Sequence, residues 1–193
     1  MNRFKLTCVF ALTLALPLSV HAHRPQTFDA DEIITDPLIS WTLPGTFETS
    51  TEVYQFDLEY DEPFTAPFEI FAPTSGDNGD FRPRYAIIGP GFPAATDAVR
   101  AALPDDIDIP DGAGVFLETN EREDRYVFFE GVMRRVLVSS GTLALRLAAG
   151  KHTVVIWAPD STKGRFMFGF GVEENFDDGG FDGVFENWST FAY

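Results

Sequence analysis

VYQFDLEY, residues 53–60, alternates two kinds of side chain along its whole length. Tyr54, Phe56, Leu58 and Tyr60 fall on one side, whereas Gln55, Asp57 and Glu59 fall on the other. This period of two is typical of a β-strand with one face on a hydrophobic core and one face in water. The stretch therefore predicts a half-buried strand, and with it a sheet that must pack against another layer.

Short apolar or alternating runs recur along the chain, and each predicts a further strand. They cover residues 68–71, 84–88, 126–129, 136–138, 143–147, 152–157 and 165–171. The 16 glycines and 13 prolines are spread between them and favour turns over long helices. About eight short strands without crossover helices predict an all-β fold in one domain, an antiparallel β-sandwich of jelly-roll or immunoglobulin-like topology.

One segment could be helical. Residues 94–103 have Thr96 as a candidate N-cap and Pro104 as a stop, although a turn-rich insertion reaching Gly114 fits equally well. Several aspartates place that insertion at the surface. The segment from about 173 to 193 is rich in Gly, Asp and Phe, and we expect it to be irregular.

The N-terminus has the pattern of a signal peptide. Arg3 and Lys5 precede an apolar run over residues 6–20, and Val20-His21-Ala22 is a small-residue cleavage site. Residues 1–22 are therefore predicted to be removed, leaving a single domain over 23–193 in the periplasm or outside the cell. Cys8, the only cysteine, would leave with the signal, so the exported protein would hold together without a disulfide.

The chain carries a formal charge of −16. A surface this acidic repels nucleic acid and anionic lipid, so neither is expected as a partner. After signal cleavage no later segment has the length of a membrane span. Diffuse acidity of this kind favours an explanation by solubility, with cation binding as the alternative.

Several stretches resemble the bacterial pre-peptidase C-terminal domain. They are the Tyr54-x-Phe56-x-Leu58 strand, the alternating leucines of 143–147 followed by Ala149-Gly150 and 152–156, and the GRFMFGFG run from Gly164. The resemblance spans about Val53–Val172. It implies a secreted, non-catalytic jelly-roll module, some relatives of which bind polymers or calcium. Residues 80–91 also resemble a group of uncharacterised exported proteins.

Catalytic motifs are scarce in the predicted mature chain. It has no Gly-x-Ser-x-Gly and no phosphate-binding loop, and a Ser-His-Asp triad would have to use His152 from within a strand. We therefore predict an accessory protein that binds an extracellular polymer or a protein and is not an enzyme. Trp188, in the C-terminal segment, is the candidate ligand contact.

Copper binding is an alternative. If the exported chain begins at His23, its α-amine and imidazole could chelate copper, and His152 could supply the third nitrogen of a histidine brace. His23 and His152 are the two histidines that the predicted mature chain retains.

Calcium binding is the third alternative, because calcium takes oxygen ligands from turns rich in Asp, Asn and Gly. The candidate ligands in two such turns are Asp77, Asn78, Asp80, Asp177, Asp178 and Asp182. Neither turn has EF-hand spacing, and Asx residues also form turns without an ion.

Overall fold

The computed structural model describes residues 24–25, 33–49, 51–74, 81–130, 134–159 and 162–173. Within these ranges the chain forms two sheets that pack face to face, as predicted for a β-sandwich. The strands of sheet A are β1 (Arg24–Pro25), β3 (Trp41–Phe47), β5 (Phe64–Pro73), β8 (Val127–Glu130), β9 (Arg135–Ser139), β10 (Leu143–Leu147) and β12 (Gly164–Phe170). The strands of sheet B are β2 (Ile33–Ile34), β4 (Val53–Tyr60), β6 (Arg84–Gly89), β7 (Gly114–Glu118) and β11 (Gly150–Trp157).

Sheet A has the order β1-β3-β12-β5-β9-β8. The long strand β5 pairs with β12 on one side, and with β10 and β9 in succession on the other. Sheet B has the order β2-β4-β11-β6-β7. Pairing is antiparallel except where the two-residue strands β1 and β2 join β3 and β4. Strand β8 is therefore an edge of sheet A, and β7 is an edge of sheet B.

The main core lies between the sheets and is dominated by aromatic rings. Phe56 of sheet B stacks on Phe170 of sheet A at a centroid distance of 5.7 Å, and Phe168 meets Tyr85 edge to face at 5.0 Å. The Tyr54 hydroxyl donates to the Thr46 carbonyl (2.7 Å) and accepts from the Thr46 amide (3.0 Å), which joins the two sheets. The predicted inward face of VYQFDLEY is thus confirmed for its buried members Phe56 and Leu58.

A second apolar cluster lies on the outer face of sheet B. The segment between β6 and β7 crosses that face and contains the one helix of the described residues, α1 (Asp97–Ala102), capped by the Thr96 hydroxyl as predicted. Leu103 of this segment packs over Val155 and Trp157. The helix and the turn-rich insertion are therefore the same element, a cover for sheet B.

No helix in the described part of the chain has the length and hydropathy of a membrane span.

Candidate functional site

The most unusual surface of the molecule is formed by β8 and β9, which we call the edge hairpin. Val127 and Phe129 are each 63 % exposed, and Val136 is 44 % exposed. The pairing places Phe129 opposite Val136 and Val127 opposite Val138, so all four side chains lie on one face. The pair β8 and β9 thus carries three of the large apolar side chains that are exposed among the described residues.

That face is the core-side face of sheet A, meaning the face that meets sheet B. Val138 pairs with Ala72, and both Ala72 and its neighbour Ile70 belong to the main core. Val138 itself packs partly against that core. Because Val127, Phe129 and Val136 lie on the same face yet are exposed, the described strands of sheet B do not extend over them. The hydrophobic face of sheet A continues into solvent.

The direction of the backbone groups of β8 follows from one hydrogen bond. The Tyr126 carbonyl accepts from the Ser139 amide at 2.9 Å and so points toward β9. Backbone groups alternate in direction along a strand, so those of Phe128 also point to β9, whereas those of Val127 and Phe129 point away from the sheet. No other described strand pairs with this side of β8. Two N–H groups and two carbonyls therefore line an open edge.

A carboxylate holds the edge hairpin in place. On the outer face of sheet A, Glu69 accepts hydrogen bonds from the hydroxyls of Tyr126 (2.8 Å) and Ser139 on Oε1, and from Thr142 (2.9 Å) on Oε2. Burial raises the pKa of the Tyr126 hydroxyl, with a further contribution from the neighbouring Glu69 carboxylate, so this hydroxyl stays protonated and able to donate. These three hydrogen bonds join β5 to the ends of β8 and β9 and to the turn that follows β9.

Aromatic packing supports the same arrangement from the outer face. The ring of Phe128 packs edge to face against that of Phe71 in β5, with a centroid distance of 5.5 Å. The ring centroids of Tyr126 and Phe128 lie 5.7 Å apart. Phe71 and Leu137 are buried next to them. The described part of the hairpin is consequently packed on one face and exposed on the other.

Charge is also distributed unevenly. Residues 121–135 include four acidic side chains (Glu121, Glu123, Asp124 and Glu130) and four basic ones (Arg122, Arg125, Arg134 and Arg135). The segment is formally neutral, so the whole charge of −16 resides elsewhere in the chain. The edge hairpin thus lies in a locally neutral segment of a strongly acidic protein.

A second group of buried polar side chains lies where β6 pairs with β7. Glu118 is buried and its Oε1 accepts from the backbone N–H of Asn120 at 2.7 Å, while the side-chain Nδ2 of Asn120 donates to the Pro83 carbonyl at 3.1 Å. Burial raises the pKa of the Glu118 carboxyl. Asn120 has a φ of 57°, a left-handed conformation that Asn tolerates better than most residues. These contacts stabilise the turn that leads toward β8.

His152 lies inside β11, as its sequence context predicts, and its side chain has 0 % exposure. The ring packs against Phe92 at 5.8 Å, and Nε2–H donates to the Pro90 carbonyl at 3.1 Å. A Cβ on Gly89 would lie 2.3 Å from the ring, so glycine is required there for the ring to fit. Burial lowers the pKa of the imidazole. A copper ion shared with the N-terminus would reach this ring only if the packing around it opened.

The remaining predicted site residues lie outside the described residues. They are His23, Asp77, Asn78, Asp80, Asp177, Asp178, Asp182 and Trp188. The described residues contain no group of three or more His, Cys, Asp or Glu side chains arranged to hold a metal. The copper and calcium hypotheses stay predictions.

Val127, Phe129 and Val136 were not singled out from the sequence, although both of their strands were predicted. A signal was present, because the runs YVFF and VLV are apolar at every position and lack the polar alternation of residues 53–60. Such a run is typical of a strand buried on both faces. On an edge strand it marks a surface that the chain leaves uncovered.

No family model matches the chain, and no curated protein shows significant similarity to it. The resemblance to the pre-peptidase C-terminal domain therefore stays a prediction.

Proposed function

We propose that this protein is an exported, non-catalytic binding module that takes a protein or polymer partner on the core-side face of its edge hairpin. The observation that carries the proposal is the exposure of Val127, Phe129 and Val136 on a face that elsewhere forms the core. Contiguous exposed apolar side chains on a soluble protein mark interaction surfaces more often than isolated ones do. Glu69 also anchors the hairpin through its hydrogen bonds to Tyr126 and Ser139, which reduces the conformational entropy lost when a partner binds.

The export part of the proposal rests on the N-terminal pattern. A basic start, an apolar run and Val20-His21-Ala22 together support cleavage after Ala22. N-terminal sequencing of protein recovered outside the cytoplasm tests this directly. A chain that begins at His23 would support export and would keep the copper alternative open, whereas a chain that retains residues 1–22 in the cytoplasm would contradict both.

The binding face can be tested with Nile red, an uncharged dye whose emission rises on apolar surfaces. We expect the wild-type protein to raise the emission and Phe129→Ser to remove most of that rise. Val172→Ser is the matched control, because Val172 is also exposed (58 %) but lies at the end of β12, apart from the hairpin. Equal dye binding by all three proteins would contradict the assignment of the face.

The non-catalytic part is tested separately with a panel of glycoside, ester and peptide substrates. We expect no turnover. A hydrolytic activity that disappears when one carboxylate, such as Glu118 or Glu69, is changed to the amide would contradict it.

A further inference from the structure

The open edge of β8 offers backbone groups in a pattern that a second β8 can satisfy. Val127 and Phe129 each direct one N–H and one carbonyl away from the sheet. We propose that two copies of this chain associate by antiparallel pairing of their β8 strands, in a register centred on Phe128. The inference rests on the proposed binding role of the edge hairpin and adds a second contact to it: the open edge of β8 binds a second copy, while the apolar face stays free for the proposed partner.

The register follows from the hydrogen-bonding pattern. In an antiparallel pair, residues whose backbone groups face each other exchange two hydrogen bonds, and the next pair along exchanges none. A twofold axis through Phe128 places Val127 of each copy opposite Phe129 of the other. The two pairs exchange four hydrogen bonds and satisfy all four outward groups of both strands. An axis through Phe129 would instead place Val127 of each copy opposite residue 131 of the other, which lies outside the described residues.

The same register places the apolar side chains of both copies on the same face of the joined sheet. Directly opposed residues lie on one face of an antiparallel pair, and Val127 and Phe129 both lie on the core-side face. Pairing therefore joins the two apolar faces into one strip across four strands. Aromatic–β-branched pairs of this kind stabilise sheets. Edge pairing leaves the strip itself accessible, so dimerisation does not compete with the proposed binding face.

Charge favours this surface over other parts of the protein for self-association. Two strongly acidic chains repel one another, and the repulsion is weakest where the approaching surfaces are locally neutral. Residues 121–135 have equal numbers of acidic and basic side chains. The open edge and the neutral segment coincide, and this coincidence identifies a second copy as the partner.

The test is sedimentation velocity on the full chain at increasing concentration, comparing wild type, Val127→Pro and Val127→Thr. Proline removes an N–H that points away from β9, and prolines are tolerated on an edge strand when that position faces solvent. Each dimer would lose two of four hydrogen bonds, so we expect the dissociation constant to rise about 30-fold. Val127→Thr keeps the N–H and the β-branched shape, and it should dimerise nearly as wild type does.

A monomeric wild type would overturn the inference, as would a Val127→Pro variant that melts normally and still dimerises. A monomer that binds Nile red through Phe129 would overturn the dimer while leaving the proposed function intact. If Val127→Pro does not weaken the dimer and the wild type does not bind Nile red, both the inference and the proposed function are overturned.

A cysteine variant tests the register even if Val127→Pro fails to fold. In the proposed pair, the Phe128 Cα atoms of the two copies lie about 4.5 Å apart, within the range of a disulfide. In a Cys8→Ser background, Phe128→Cys should therefore form a disulfide-linked dimer under mild oxidation. Val172→Cys, at an exposed position away from β8, should not. Equal cross-linking of both variants, or of neither, would contradict the register.

Discussion

Two of the apolar surfaces that the described residues form outside the main core differ in whether another segment of the chain covers them. On the outer face of sheet B, Trp157 is 6 % exposed, because the segment with α1 packs over it. On the core-side face of the edge hairpin, Phe129 is 63 % exposed. More than twenty residues between β6 and β7 are used to cover the first surface, and no described segment covers the second. The same chain covers one apolar sheet face and leaves another exposed, and this contrast supports the proposed partner for the exposed face.

The largest expected effect comes from breaking the covered surface. Trp157→Ala should lower the free energy of unfolding by about 3–5 kcal/mol, because it leaves a large cavity beneath the segment that contains α1. Phe129→Ala is the matched variant on the open surface and should change it by only about 0.5 kcal/mol. Chemical denaturation of both measures the contrast. Similar losses in the two variants would mean that Phe129 is part of a packed core.

A smaller loss in the free energy of unfolding is expected when the hydrogen bonds of Glu69 to the edge hairpin are weakened. Glu69→Gln replaces a carboxylate that accepts three hydroxyl hydrogen bonds, and it should cost about 1–2 kcal/mol. Hydrogen exchange should become faster in β8 and β9 and stay unchanged in β4 and β11. Glu62→Gln, at an exposed turn, is the control. Uniform acceleration across both sheets would contradict a local anchoring role for Glu69.

The third effect depends on pH and concerns His152. Because burial lowers the pKa of the native imidazole, the unfolded chain takes up a proton that the native ring does not. Stability should thus be fully present above the unfolded pKa of about 6.5 and should fall as the pH drops toward the native value. Glu118, with its raised pKa, acts in the opposite direction.

Comparing wild type with His152→Leu isolates the histidine, because Glu118 is present in both. The variant should be less stable above pH 6.5, having lost the hydrogen bond to Pro90, but its stability should fall less steeply below that pH. Thermal melting from neutral to mildly acidic pH measures the two slopes. Parallel slopes would contradict a neutral, buried His152.

The smallest effect is the salt dependence of self-association. Raising ionic strength screens the repulsion between two acidic chains, and hydrogen bonds and apolar contacts at the edge depend little on salt. The dissociation constant of the dimer should therefore fall modestly between low and physiological salt. Sedimentation velocity at both conditions measures it. A dissociation constant that rises with salt would indicate an interface of ion pairs instead.

Strands with a clear pattern of their own could be predicted from the sequence, whereas β3, β7 and the two-residue strands β1 and β2 could not. The strand β4 alternates along its length, and β11 follows an Ala-Gly turn, so both were predicted. The sequence does not predict strand β3 because Pro44 and Gly45 interrupt its pattern. Proline is tolerated at position 44 because β1 pairs only with Trp41 and Thr42. Gly45 is needed there because a Cβ would lie 2.4 Å from the Phe166 ring.

Strand β7 was missed for a related reason. It begins at Gly114, where the sequence predicts that the insertion ends, and its five residues have no clear alternation because they are covered on both faces. The candidate site was the least predictable feature. Its strands were predicted, but the exposure of Val127 and Phe129 depends on how far sheet B extends, and a local pattern contains no information about that.

The most direct test of the account is residue-resolved hydrogen exchange at Val127 and Phe129 at low and high protein concentration. We expect both amides to exchange rapidly in dilute solution and to become protected at high concentration, while the Phe128 amide, which bonds to β9, is protected in both. Protection of Val127 and Phe129 in dilute solution, or rapid exchange at every concentration, would contradict the claim that the edge of β8 is left open for a second copy.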